Sequence, residues 1–113
     1  MTKGRESKIT QLKKGALELC VLCTLAGGDK YGYELVAAIS RSVSVSEGTI
    51  YPLLKRIRED GYVRTYIQES SGGPARRYYA LTPEGIGYKD ELLGEWLSFV
   101  KGVNQIIEET ARV

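Results

Sequence analysis

Histidine is absent from this chain, and cysteine is scarce, at two residues; tryptophan, phenylalanine and methionine occur once each. Without imidazole, acid–base catalysis near neutral pH would fall to carboxylates such as Glu59 and Asp60, at a helix end with no evident pocket, so an enzyme is the least favoured class. Cys20 and Cys23 have the Cys-x-x-Cys spacing that opens many zinc sites, but with no His and no further Cys one subunit cannot close a four-ligand metal site. They lie in the apolar run from Leu19 to Leu25, where free cysteine reads as a small buried hydrophobe; a redox pair is the other reading. No metal or cofactor is expected. The chain also lacks an apolar run of the ~20 residues that span a bilayer, and no apolar stretch of signal-peptide type follows its basic start, so the expected location is the cytoplasm. At 113 residues and 42% hydrophobic content, it has room for one modest core and not for two.

Charge is present but unevenly spread. Residues 1–81 hold 13 Lys/Arg against 8 Asp/Glu, a net +5, while residues 82–113 hold 3 against 6, a net −3. The first part suits a polyanion and the tail does not.

Residues 1–8 are polar and basic without periodicity, and read as a loose arm. Ile9, Leu12, Ala16, Leu19, Cys23 and Ala26 then recur at intervals of three and four, which predicts a first helix ended by Gly27-Gly28-Asp29. A short second helix is predicted from Tyr33 to about Arg41, directly after Gly32, with Leu35, Ala38 and Ile39 turned inward. After the turn 42–45, Ser46 offers its hydroxyl to the free N–H groups of a third helix, which runs to Asp60 and stops at Gly61. Its core stripe is Ile50, Leu53, Leu54 and Ile57. From Val63 the period changes to alternation, and Tyr78-Tyr79-Ala80-Leu81 supplies a second strand across a flexible tip at 70–74, giving a β-hairpin. Thr82-Pro83-Glu84 reads as N-cap, first-turn Pro and first-turn acid of a long helix reaching about Glu109. The expected fold is therefore mainly α with a small β-hairpin: a winged helix-turn-helix over residues 9–81, followed by a long C-terminal dimerisation helix over 82–113.

The third helix would be the one that enters a DNA major groove. Its core stripe leaves Gly48, Pro52, Lys55 and Glu59 on the opposite face, flanked by Tyr51 and Arg58 on one side and by Thr49 and Arg56 on the other. Small residues let a backbone approach base edges, and cations reach phosphates; the plain alternative is an ordinary solvated face. Pro52 lies past the first turn, where it removes the hydrogen bond to residue 48, a local rule broken on an exposed face, either for function or as a tolerated kink. Tyr33 and Tyr51, near helix starts, are placed to donate to phosphate, with Tyr33 equally readable as a core residue with a polar tip. Arg76 and Arg77 flank a Gly-rich tip that suits the sugar-phosphate backbone or a minor groove. Lys13 and Lys14 at the first helix start are further phosphate candidates.

On the last helix Leu92, Trp96, Phe99, Val103 and Ile106 alternate spacings of four and three, as in a coiled-coil seam, with Leu93, Leu97, Val100 and Ile107 in a parallel stripe. Two stripes exceed what one small domain covers. One is expected on the first helix and the other on a second copy, a two-fold dimer meeting two half-sites. Trp96, mid-seam, reads first as interface packing and second as the floor of a site for a flat aromatic ligand. The rival to DNA binding is a winged helix used only as a protein-interaction adaptor.

Three segments carry a resemblance to the PadR-like transcriptional regulators: Tyr31-Gly32-Tyr33-Glu34-Leu35; the stretch from Ser46 to Ile57 with Gly61-Tyr62-Val63 after it; and the stretch from Arg76 to Gly85. The resemblance is read over residues 12–85, within which these segments stand in order. The resemblance implies a dimeric repressor on inverted-repeat operator DNA, released by a small molecule, with Tyr33, Ser46, Gly48, Thr49, Tyr51, Lys55, Arg76 and Arg77 as DNA contacts. The single C-terminal helix resembles the family's short subgroup, some of whose members sense phenolic acids or multiple drugs. In multidrug-sensing members a stacking Trp lies where Trp96 does.

Overall fold

The computed structural model of the chain describes residues 16–111. Among these residues, four helices and three strands follow one another as α1 (Leu17–Ala26), β1 (Lys30–Tyr31), α2 (Gly32–Ser40), α3 (Glu47–Glu59), β2 (Val63–Ser70), β3 (Gly73–Leu81) and α4 (Pro83–Ala111). Helices α1 to α3 enclose the core, whose fully buried side chains are Val21, Leu22, Leu35, Ile50, Leu54 and Ile57. Each of these contributes roughly 1.5–3 kcal/mol by leaving water.

The first helix departs from its expected face. Leu17, Leu19, Val21, Leu22 and Leu25 are buried, while Cys23 and Ala26 are exposed and Cys20 is half-buried. The segment is apolar on nearly every side, so intervals of three and four fit several stripes and the neighbours choose among them. Cys23 is thus not the buried hydrophobe expected. Ile9 and Leu12 lie outside the described residues, as does the basic arm. In α2, which begins at Gly32 itself, Val36 takes the buried place expected of Ala38.

Helix α3 follows its predicted stripe, with Ile50, Leu54 and Ile57 buried and Leu53 partly so. Its start differs. Ser46 has the extended backbone of an N-cap, but its Oγ lies 3.3 Å from Thr49 Oγ1 and caps no backbone N–H. Its end is a complete reversal: Gly61 at φ +88° donates to Arg58 O at 3.0 Å, and Tyr62 N–H reaches Ile57 O at 3.0 Å. This double closure needs the left-handed backbone that glycine adopts without cost.

The hairpin carries a third strand that alternation could not reveal, because β1 is two residues long. The antiparallel order is β1-β3-β2, with Lys30 opposite Tyr79 and Tyr31 opposite Tyr78. Strand β3 starts at Gly73, so the turn is tighter than the 70–74 tip expected, and Gly72 takes it at φ +75°. Burial fades from Val63 at the helical core to Ile67, which is 60% exposed where the hairpin projects beyond it. The helix α4 starts as its sequence predicts, with Thr82 Oγ1 accepting Gly85 N–H at 2.9 Å. No helix among the described residues is long and apolar enough to cross a membrane.

Candidate nucleic-acid interface

Gly48, Thr49, Tyr51, Pro52 and Lys55 are all exposed on α3, together with Ser46 at its start. Pro52 stands inside a continuous helix, so the missing hydrogen bond to Gly48 is absorbed without a break. A Cβ built on Gly48 would meet nothing closer than Ser46 Oγ at 3.8 Å. The position therefore has no packing reason to lack a side chain. Gly48→Ala should raise thermal stability, by up to ~1 kcal/mol from helix propensity alone, while weakening DNA binding if the helix backbone approaches base edges there. Melting and DNA titration of the same sample separate the two; unchanged DNA affinity would show that the residue's smallness serves neither.

Tyr31, Gly32, Tyr33, Tyr51, Arg76, Arg77 and Tyr79 line one open groove of about 380 Å³. It joins the start of α2, the first turns of α3 and the base of the wing. Tyr33 is 64% exposed, which removes the core reading for that residue. The Tyr51 ring lies against Gly32, where a Cβ would come within 2.5 Å of the phenolic oxygen and 2.9 Å of a ring carbon. Partial burial, then the charge of Glu47 and the neighbouring Tyr79, push the Tyr51 phenol above its ordinary value. It therefore stays protonated at physiological pH and keeps a proton to donate to an anion.

The wing arginines are held rather than loose. The Arg76 guanidinium stands 4.5 Å over the centre of the Tyr31 ring, and Arg77 Nη1 donates to Thr65 Oγ1 at 3.3 Å. Behind them Tyr31 meets Tyr78 edge-on, Tyr78 stacks on Tyr66 at 5.5 Å, and the Tyr66 hydroxyl donates to Asp29 at 2.8 Å. Tyr31, Gly32 and Tyr79 line the same groove, and sequence reasoning gave them no contact role. The signal was a glycine between two tyrosines at a helix start, which marks a close approach of something bulky. Arg56, expected beside the exposed face, is instead turned to Glu18 of α1 at 3.5 Å and to Asp60 at 3.7 Å. Lys13 and Lys14 lie outside the described residues.

On α4, Leu92 is partly buried against the chain's own core, whereas Phe99 and Ile106 are 66% and 64% exposed and Trp96 and Val103 are half-exposed. Leu19, Leu92, Glu95, Trp96 and Phe99 outline an apolar depression of about 250 Å³ between α1 and α4. Among the described residues there is no group of three or more His, Cys, Asp or Glu that could hold a metal ion.

Comparison with known proteins agrees with this architecture. A PadR-like regulator from Bacillus cereus superimposes with a TM-score of 0.79 at 35% identity, over 86% of this chain and 96% of that one. The Mycobacterium tuberculosis transcriptional regulator Rv3488 is 36% identical over 76 residues, 66% of this chain and 70% of that protein. The Escherichia coli transcriptional regulator YqjI is 35% identical over 81 residues, which are 68% of this chain and 37% of that longer protein. The family model of the PadR-like transcriptional regulators matches residues 21–90, from the first core helix through the hairpin into α4, and the chain belongs to that family of regulators rather than to any class of enzyme.

Proposed function

We propose that the chain is a cytoplasmic homodimeric repressor of the PadR-like type that binds an inverted-repeat operator in double-stranded DNA. The observation that carries the reading is the groove in which Tyr33, Tyr51, Arg76 and Arg77 converge beside the exposed start of α3. Phenolic donors at two helix starts and two anchored cations form a set of phosphate ligands, and they flank a helix face narrow enough to enter a major groove. Ser46, Thr49, Pro52 and Lys55 lie along that face, and Lys14 precedes α1 as a further contact. Residues 9–81 form the DNA-reading part and 82–113 the dimerisation helix.

Binding should be steeply salt-dependent. With about six phosphates neutralised, affinity for the chain's own promoter falls by roughly 10³-fold between about 50 and 200 mM salt. Arg76→Ala weakens binding and flattens that slope. Fluorescence anisotropy with a promoter duplex and a scrambled one tests both statements. Equal, salt-insensitive affinity for the two duplexes would point instead to a protein-interaction adaptor.

The reading includes release by a small aromatic effector at Trp96. The depression beside it is smaller than the ~300 Å³ of ordinary ligand pockets, and a second copy facing it would complete the enclosure. Titration of the dimer with planar aromatic amines and phenolic acids should quench Trp96 fluorescence in a saturable way and lower DNA affinity. Quenching without loss of DNA binding would separate ligand capture from regulation.

A further inference from the structure

The end of α3 and the start of α4 are fastened at several points that none of the DNA-facing residues share. Thr82 Oγ1 donates to Gly61 O at 2.7 Å, and Thr82 N–H donates to Tyr62 O at 3.1 Å. Gly85 is buried directly beneath the Tyr62 carbonyl, which a Cβ would strike. Above this, the Tyr62 and Tyr88 rings stack with centroids 4.2 Å apart and planes within 6° of parallel. Glu18 of α1 completes the arrangement: it pairs with Arg56 one turn before the end of α3, and partial burial first, then the Glu18 charge, push the Tyr88 phenol above its ordinary value.

A single hydrogen bond between two helices permits rotation about it. Two parallel rings in contact, with a carbonyl seated on a glycine below them and hydrogen bonds on both sides of the turn, resist tilt and twist together. In a dimer held by α4, the distance between the two α3 helices depends on how α4 pairs and on how each α3 is set against its own α4. One base-pair step is ~3.4 Å and about a tenth of a turn, so a small rotation at this connection changes which half-site spacing fits.

We infer that the Tyr62–Tyr88 stack, seated on Thr82 and Gly85, is a rigid joint that sets α3 against α4, making Tyr62 and Tyr88 positioning residues for operator half-site spacing although neither faces the DNA groove. The inference rests on the proposed dimer on an inverted repeat. Its test compares duplexes carrying an inverted repeat selected from a random pool by the wild-type chain, the same repeat with one base pair added to or removed from its spacer, and a single half-site.

The wild type should prefer its selected spacing. Tyr88→Leu should cut that preference by about ten-fold while changing single half-site affinity less than about two-fold; Tyr88→Phe, which keeps the stacked ring, should behave as wild type. Glu18→Gln keeps the side-chain shape and removes the charge facing Arg56, so it carries the test if Tyr88→Leu melts below the assay temperature; its expected loss of preference is about three-fold. Unaltered spacing preference in the folded variants overturns the joint and leaves the DNA-binding reading standing. So does an equal loss on half-site and full site, which marks a merely structural role. A wild type with no spacing preference overturns both.

Discussion

Replacing Gly85 by alanine is expected to lower the melting temperature by roughly 10–20 °C, from a loss of about 3 kcal/mol in a domain of this size. The added methyl would collide with the Tyr62 carbonyl oxygen, lie 2.9 Å from its carbon and meet a Leu81 methyl at 3.2 Å. A side chain could rotate away, but this obstacle is backbone, and the same carbonyl already accepts Thr82 N–H at 3.1 Å. Relief requires α4 to lift from the end of α3, which takes Thr82 off Gly61 and parts the Tyr62–Tyr88 stack. Gly87, two residues on, is the control: a Cβ there meets nothing within 4 Å, so Gly87→Ala should hold or raise stability through helix propensity. Circular dichroism melts of both variants decide the matter. A Gly85→Ala melting point within a few degrees of wild type would show that the contact yields easily and that the connection is soft.

The paired substitution Phe99→Asp, Ile106→Asp should convert the chain to a monomer and reduce its affinity for an inverted repeat by about 10²–10⁴-fold, the factor lost when two binding modules are unlinked. Both side chains are about two-thirds exposed in the single chain and lie seven residues apart on one face of α4. The substitutions therefore leave the chain's own core untouched, and secondary structure by circular dichroism should be unchanged. In a dimer the same positions would bury four carboxylates without partners, a cost that no apolar contact along the seam offsets. Sedimentation equilibrium gives the mass, and half-site binding reports whether α3 and the wing remain intact. A variant that keeps twice the chain mass would place the dimer contact elsewhere. One that dimerises poorly yet binds the full repeat as tightly as wild type would show that pairing contributes nothing to recognition.

The parts of the candidate interface that could be read in advance are those fixed by local rules. Exposure of Gly48, Thr49, Pro52 and Lys55 follows from the buried stripe of Ile50, Leu54 and Ile57, because a helix with one face committed has its other face determined. The Thr82 cap followed from residue type and its place before Pro83. Ser46 obeyed the same rule in backbone shape and broke it in bonding, since Thr49 offers a competing hydroxyl one turn on. The Cys23 misreading has another origin. In a helix that is apolar on nearly every side, periodicity carries little direction, so exposure depends on where α2 and α4 lie.

From its amino-acid order alone, the order of this protein's described helices and hairpin strands, the two faces of α3 and the start of α4 are settled, because helix period, strand alternation, caps and the glycine at position 61 act between residues a few places apart. Folding in three dimensions decided the rest: that a two-residue β1 completes the sheet, that Gly32 makes room for the Tyr51 ring, that Tyr31 carries Arg76, and that Arg56 turns to Glu18. Each of these joins groups separated by some 19 to 49 positions along the chain. No local preference encodes such a meeting, which exists only once the core has brought the helices and the hairpin together.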